Sequence, residues 1–310
     1  MIEIDNSQLA GPLLKCFNPS LVYYQGRRLL YYRYTLQPSG IYTRIAFVEL
    51  DSNFHPISQH RHVHLPRVTN RILTIDDPRA FVWREELWLM QIQAARYQHP
   101  HQWSWSTSVI LTRVDLDGQG QVYMPAYGRN LNYAVADAPP AFEKNWTPLV
   151  IEDELYIVYE INPFTVLKFQ PEQPALVSVC HKFWTNPYPT YLSGGTPLIP
   201  WHNSEYIGLF HTYVKLPNQQ RLYSMGFYTV DVNQWCVTRI SQPILTAWED
   251  DRKDLRRWEE LSQGKSLVVF PGGIIDCSEA WAVSFGWNDC RCCIQLYEKN
   301  MVWASLINIA

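Results

Sequence analysis

Two adjacent carboxylates and an arginine flank a proline at Asp76-Asp77-Pro78-Arg79, and related polar groups stand beside other prolines along the chain. Asn18 precedes Pro19, Glu143-Lys144-Asn145 comes just ahead of Thr147-Pro148, and Gly194-Gly195 leads into Thr196-Pro197. A carboxyl beside a second carboxylate and a guanidinium has the composition of a general acid with its electrostatic partners. One Asp before Pro is more often a turn or a cap, so recurrence has to carry the reading. A second set recurs as well: Arg33, Gln91, Glu160, His211 and Asp289 each close a mostly apolar run, which points to a ring of polar groups around one pocket. With 13 Trp and 19 Tyr in the chain, these charges suit sugar recognition, in which aromatic faces stack on apolar ring faces and charged groups bond hydroxyls.

The elements that must position these residues show as an internal repeat. Five segments share one order: a polar cluster, a proline, an apolar run, a polar turn and a second apolar run. Their prolines are Pro19, Pro78, Pro148, Pro197 and Pro271, and the second runs begin at Leu29, Leu87, Leu155, Tyr206 and Trp281, at hairpin distance in every case. A third run follows each: Ile45 to Leu50, Val109 to Leu116, Val166 to Phe169, Met225 to Val232 and Cys292 to Tyr297. Proline is tolerated at a strand start, where its missing N–H costs least. The pattern predicts an all-β, five-bladed β-propeller in one domain over 1–310, with blades beginning near 17, 76, 144, 194 and 268 and first strands lining a central channel. A β-sandwich is the ordinary alternative, but it requires no such fivefold recurrence. Trp248, Leu255, Trp258 and Leu261 approximate a helical stripe within a charged stretch, so a short helix over 247–263 is expected between blades four and five.

Composition excludes several classes. A net charge of -3 provides no field to gather nucleic acid or an anionic membrane, and no run reaches the roughly 18 apolar residues of a membrane span. The first residues lack a basic and an apolar leader region, so a cytoplasmic protein is expected. Seven cysteines are poor material for a disulfide framework, and Cys290, Cys292 and Cys293 lack the second pair that a zinc site requires; reduced thiols and no metal are expected. No nucleophile elbow, phosphate-binding glycine loop or dinucleotide fingerprint is present.

Asn18-Pro19, Asp76-Asp77-Pro78-Arg79, Lys144-Asn145-Trp146, Gly194-Gly195-Thr196-Pro197, Leu209-Phe210-His211 and Phe285-Gly286-Trp287-Asn288-Asp289 occur in an order that resembles glycoside hydrolase family 130, the five-bladed mannoside phosphorylases and related mannosyltransferase-phosphorylases. The resemblance runs from about residue 17 to 298. It implies that Asp77 is the catalytic acid, protonating the leaving oxygen through a hydroxyl of the sugar released. It further implies that His211, Tyr223 and Asp289 lie around the phosphate and the reacting sugar. Repeat position and charge add Asn18, Arg33, Asp76, Arg79, Asn145 and Glu160 as substrate-binding candidates, with Arg44 and Lys144 for phosphate. Asp76 stands where the family commonly has Glu, and Lys144-Asn145-Trp146 also departs from its pattern, as in an outlying branch.

Three reactions fit these residues. An inverting hydrolase needs a second carboxylate about 6.5–9.5 Å from the acid to activate water, for which Glu143, Glu160 and Asp289 are candidates. A phosphorylase replaces that base by cationic groups around an anionic nucleophile, and Lys144, His211 and several arginines supply them. Sugar-nucleotide transfer is compatible with the resemblance, and a non-catalytic glycan-binding propeller is the alternative of another class. The expectation is inverting phosphorolysis of a β-mannoside-type glycoside, with inorganic phosphate as co-substrate and no cofactor. A small oligosaccharide is the expected partner, and assembly into a homo-oligomer is compatible with the sequence.

Overall fold

The structure, a computed structural model, describes residues 1–36, 42–64, 72–99, 102–123, 143–172, 175–216, 220–246 and 267–309. Among these, regular structure is nearly all β-strand, with one α-helix at Lys299–Ser305 and a 3-10 turn at Asn6–Gln8. The expected helix over 247–263 lies outside the described residues.

Each proline-led segment builds its own antiparallel sheet, and the described residues form five of them. The first comprises Cys16–Tyr24, Arg27–Thr35, Thr43–Leu50 and the short Arg61–His62. Ile72–Trp83, Glu86–His99, Gln102–Val114 and Gly120–Tyr123 make the second. The third is Thr147–Ile151, Glu154–Glu160, Phe164–Gln170 and Ala175–Lys182. In the fourth, the leading strand is split into Ser193–Gly194 and Ile199–His202, both paired with Glu205–Lys215, and Arg221–Asp231 and Cys236–Ser241 follow. Val269–Cys277, Ala280–Trp287 and Arg291–Glu298 form the fifth. Its outer strand comes from the other end of the chain: Ile2–Ile4 pairs with Arg291–Glu298, Ile2 opposite Ile294. Leu306–Asn308 likewise joins Cys236–Ser241 in the fourth sheet. Hairpins such as Gln25-Gly26 and Arg84-Glu85 have both turn residues at positive φ, the form whose twist matches that of paired strands.

The middle strands read as continuous apolar runs because both faces of each sheet are covered. In Arg27–Thr35, Leu30 and Tyr32 pack against the fifth sheet with Ile275, Ala282 and Cys292, whereas Leu29 and Tyr31 pack against the second with Ala80, Leu87 and Leu89. Three further clusters have the same form. Phe81 and Trp88 meet Leu155 and Phe169, Leu149 and Val166 meet Phe210 and Tyr228, and Leu209 and Phe227 meet Val269 and Trp281. Each sheet thus shares apolar side chains with the one before and the one after, and the fifth with the first.

The proline-led strands are also joined by buried polar groups. Ser20 Oγ donates to Gly272 O and accepts from Ala80 N, at 2.8 Å each, and Ser284 Oγ donates to Pro19 O at 3.0 Å. The strands approach so closely that a Cβ at Gly272 would lie 2.3 Å from Pro19 O, so only glycine fits there.

Candidate active site

Three of the polar residues beside the repeat prolines share an unusual backbone, and Pro19, Pro78 and Pro271 lie within their strands and not at the expected starts. Asn18, Asp77 and Asn145 all have positive φ, at 49°, 51° and 63°, a left-handed conformation that Asn and Asp tolerate better than other non-glycine residues. Strand pairing slips by a residue at Phe17/Ser20 and at Asp76/Arg79, so Asn18-Pro19 and Asp77-Pro78 are bulges, which re-aim side chains out of the regular alternation. The Asn18 and Asp77 side chains consequently meet: Asn18 Nδ2 donates to Asp77 Oδ1 at 2.8 Å.

Asp77 lines a cleft of about 520 Å³ together with Asn18, Arg33, Lys144, Asn145, Glu160, His211, Tyr223 and Asp289. Nine expected residues from all five sheet segments are thereby brought together. Arg33 links two carboxylates: Nη1 lies 3.3 Å from Asp77 Oδ1, and Nε lies 3.0 Å from Asp76 Oδ1 in an ion pair without hydrogen-bond alignment. Its guanidinium also covers the Phe17 ring at 4.7 Å. Asp76 itself lies behind the cleft wall, accepting from the Thr43 and Thr74 hydroxyls. Burial pushes its carboxyl up, Arg33 opposes this, and Asp77 adds to it. Burial also weighs against the Arg33 cation, yet Asp76, Asp77 and Asp289 together leave its pKa raised.

A second group in the cleft suits an anion. His211 is buried between Phe270, at 4.7 Å between centroids, and Tyr223, at 6.1 Å. Burial pushes its pKa down to about 3, with Arg79 and Lys144 adding to the effect. The sequence reading counted His211 among the cations, and the structure corrects this, since the imidazole is neutral near pH 7 and acts through hydrogen bonds. Its Nδ1 has no protein hydrogen-bond partner among the described residues. Arg221 and Tyr213 also line the cleft, though sequence reasoning did not single them out. The Arg221 guanidinium lies 4.6 Å over the Tyr213 ring and bonds the Tyr223 hydroxyl at 3.5 Å. Tyr159 and Tyr191 were likewise missed. Tyr159 donates to Glu143 Oε2 at 3.1 Å, and burial raises the Glu143 carboxyl while bonds from Tyr159 and Trp146 oppose it; Tyr191 bonds Glu160.

Three expected binding residues and one ring member do not line the cleft. Besides Asp76, these are Arg79, Arg44 and Gln91. The bulge at Asp77 turns Arg79 inward, where Nε donates to Gly195 O at 2.5 Å and Nη2 to Gly194 O at 3.0 Å, tying the second sheet to the fourth. Burial lowers its pKa to about 10, which leaves it a cation. Arg44 donates to its neighbour's carbonyl, Thr43 O, at 2.8 Å. Gln91 is not at a strand end, because its strand runs on to His99; it is buried and bonds Thr112 Oγ1 at 3.0 Å.

All seven cysteines are free thiols, and among the described residues no group of three or more His, Cys, Asp or Glu side chains could hold a metal ion. No described helix is long and apolar enough to cross a membrane.

The family model described as beta-1,4-mannooligosaccharide phosphorylase matches residues 2–304. The chain belongs to glycoside hydrolase family 130. Family 130 comprises mannoside phosphorylases and hydrolases acting on β-mannosidic linkages, so this member is a glycosyl-transferring enzyme, and the phosphorylases of family 130 use inorganic phosphate as co-substrate without a cofactor. Solved structures share the fold at low identity. A β-1,2-mannobiose phosphorylase from Listeria innocua is similar at 13% identity and a TM-score of 0.64, over 94% of this chain and 91% of its own. A mannose phosphorylase from Leishmania mexicana, in complex with a phosphate ion, is similar at 11% identity and 0.57, over 98% and 90%. A GDP-Man-dependent mannosyltransferase from the same organism is similar at 7% identity and 0.55, over 97% and 91%. No curated protein matches the sequence.

Proposed function

We propose that this protein is an inverting β-mannoside phosphorylase built as a single five-bladed propeller, with Asp77 as the general acid in a pocket on the propeller axis. The cyclic packing of five sheets supports the propeller reading. For the reaction, one observation carries the argument: a single cleft holds Asp77, fixed by Asn18 and Arg33, together with Lys144, Arg221, Tyr223 and neutral His211, a set of donors for an anion. In this reading Asn18, Arg33, Asn145, Glu160 and Asp289 bind the sugars. A phosphate oxygen attacks the anomeric carbon, the bond to the leaving sugar oxygen breaks, and that oxygen receives the Asp77 proton through a hydroxyl of the leaving sugar. The product is a sugar 1-phosphate of inverted configuration. Asp76 and Arg79 support this site from behind, and Arg44 has no place at the phosphate.

Hydrolysis is the second reading, favoured by Glu143, a carboxyl in the same cleft whose proton affinity burial raises. β-Linked mannobioses incubated with and without phosphate separate the two. Phosphate-dependent release of mannose 1-phosphate is the expected result. Free mannose released at an equal rate without phosphate sinks phosphorolysis and gives Glu143 the part of base. Transfer from GDP-mannose, with no cleavage of mannobiose, sinks both.

A further inference from the structure

Four side chains that the catalytic reading leaves unused meet on the first sheet, and none of them lines the cleft. Tyr32 and Tyr34 stand on one face of Arg27–Thr35. His62 stands on the same face two strands away, because Tyr32 pairs with Ala46 and Ala46 with His62, and residues in line across a sheet share a face. Ala46 puts only a methyl on that face, so the rings on either side of it reach one another. His60, two residues before His62, continues the alternation. The Tyr32 hydroxyl oxygen lies 2.5 Å from His60 Nδ1, the Tyr34 hydroxyl oxygen 2.8 Å from His62 Nδ1, and His60 Nε2 3.2 Å from that same His62 Nδ1. Ring packing holds this arrangement: the two imidazoles meet edge to face at 4.4 Å between centroids, and His60 meets Tyr34 in the same way at 5.2 Å.

His62 Nδ1 is thereby oversubscribed. A ring nitrogen has one proton or one lone pair, and two groups lie within hydrogen-bond distance of it, so any neutral assignment leaves one contact unmade or shared. A cation among the three atoms removes the conflict. Borderline dications bind imidazole nitrogen at about 2.0–2.1 Å, so one ion reaches both nitrogens at an angle of roughly 100°, and the Tyr34 oxygen and His62 Nδ1 at roughly 85°. Tyr32 bonds the far nitrogen of His60, the kind of outer contact that orients a metal-bound imidazole. His62 is exposed, which gives an ion a route in and leaves room for water as a further ligand. No carboxylate belongs to this set, and Arg44 pairs with Tyr34 in the neighbouring strand, so the hard cations Ca²⁺ and Mg²⁺ do not suit it.

We propose that His60 Nε2, His62 Nδ1 and the Tyr34 hydroxyl form a binding site for one borderline transition-metal dication of the Zn²⁺ and Ni²⁺ class. Two imidazoles and a phenol make up the set, which agrees with there being no group of three His, Cys, Asp or Glu ligands among the described residues. The bound ion fastens Arg61–His62, which at two residues is the shortest outer strand of the five sheets, to Arg27–Thr35. The site is independent of the reading of the cleft.

The test is calorimetric titration of the full chain with Zn²⁺ after treatment with EDTA, in a reductant that contains no thiol. One ion per chain should bind in the micromolar range, and Mg²⁺ should not compete. His60→Gln and His62→Gln should each weaken binding by about tenfold or more, and Tyr32→Phe, which loses only the outer contact, by about tenfold. His64→Gln is the control: its ring lies 6.2 Å from that of His62, outside the donor set, and its affinity should stay within about twofold of wild type. Zn²⁺ at about one hundred times Kd should raise the melting temperature of the wild type by about 4 °C and that of His62→Gln far less. Because His62 is exposed, its variant folds even if His60→Gln does not. Wild-type binding weaker than about 100 μM overturns the proposal. Equal binding by His62→Gln and wild type also overturns it, since the ion then lies on thiols or other groups.

Discussion

Asp77→Asn isolates proton donation because the structure absorbs every other consequence of the change. The left-handed φ of 51° at this position suits Asn as well as Asp, so the bulge keeps its shape. The Asn Oδ1 can still accept from Asn18 Nδ2 and Arg33 Nη1, now 2.8 and 3.3 Å from Asp77 Oδ1. Arg33 also keeps Asp76 at 3.0 Å and is not left as an unpaired buried cation. Stability should therefore change by about 1 kcal/mol or less. General acid catalysis contributes roughly 10²–10⁴-fold, equivalent to about 2.7–5.4 kcal/mol of barrier, and that whole loss should appear in kcat on an unactivated disaccharide with KM little changed. On an aryl β-mannoside, the same variant should lose far less. Ala at this position would mix the effects, since its left-handed backbone alone costs roughly 1–2 kcal/mol. The assay is release of sugar 1-phosphate from mannobiose and from the aryl glycoside, in parallel with thermal melting. An Asp77→Asn enzyme within tenfold of wild type on mannobiose, folded and melting normally, refutes the assignment.

Three further outcomes are expected. His211 is neutral in the fold with a pKa near 3, whereas in the unfolded chain it titrates near 6.5, so below 6.5 the unfolded state takes up a proton that the folded state refuses. Stability is complete above that pH and is lost toward pH 3 at up to about 1.4 kcal/mol per unit; His60, held down to about 4, acts in the same direction. Urea unfolding at pH 7 and pH 5 should show His211→Gln losing about 2 kcal/mol less than wild type over that interval, and equal losses would count against a buried neutral imidazole. Gly286→Ala would put a methyl 2.2 Å from Asn18 Oδ1 and 2.6 Å from Asn18 N. It should cost about 1–3 kcal/mol in melting experiments and lower kcat by displacing the residue that holds Asp77. Arg79→Met removes two charge-assisted bonds worth about 3–6 kcal/mol together but relieves about 3 kcal/mol of charge burial, inferred from the fall of its pKa to about 10. A net loss of about 0–3 kcal/mol with an unchanged KM for phosphate is expected, and a raised KM would return Arg79 to the binding site.

The proline-led hairpins were legible because prolines, polar turns and apolar runs are local signals, and each second run does begin a strand. The split leading strand of the fourth sheet was not, since Pro197 reads as the opening of a strand, whereas the chain pairs with Glu205–Lys215 on both sides of it. Ile2–Ile4 escaped notice because three residues carry no period and their partner strand is some 290 residues away in sequence. Within the site, Asp77 and Asn18 could be read from their prolines. Arg79 was misassigned because the bulge reverses the alternation of side chains after Asp77, and no pattern of residue types reports a bulge. Gln91 failed for a simpler reason, a strand that outlasts its apolar run. Arg221 and Tyr213 come from facing ends of one long hairpin, and their meeting depends on its register, Tyr213 opposite Tyr223.

The pairing of Ile2–Ile4 with Arg291–Glu298 has a consequence for synthesis on the ribosome. Ile2–Ile4 is made long before the strand it pairs with. At roughly 5–20 residues per second, about 15–60 s separate the emergence of Ile2 from that of Ile294. During that interval the first three sheets can pair completely, the fourth lacks only Leu306–Asn308, and Ile2–Ile4 waits unpaired because Arg291–Glu298 has not yet been made. A nascent chain halted before residue 291 should therefore be easily cleaved around Ile2–Ile4 by added protease, and synthesis through Glu298 should protect that segment.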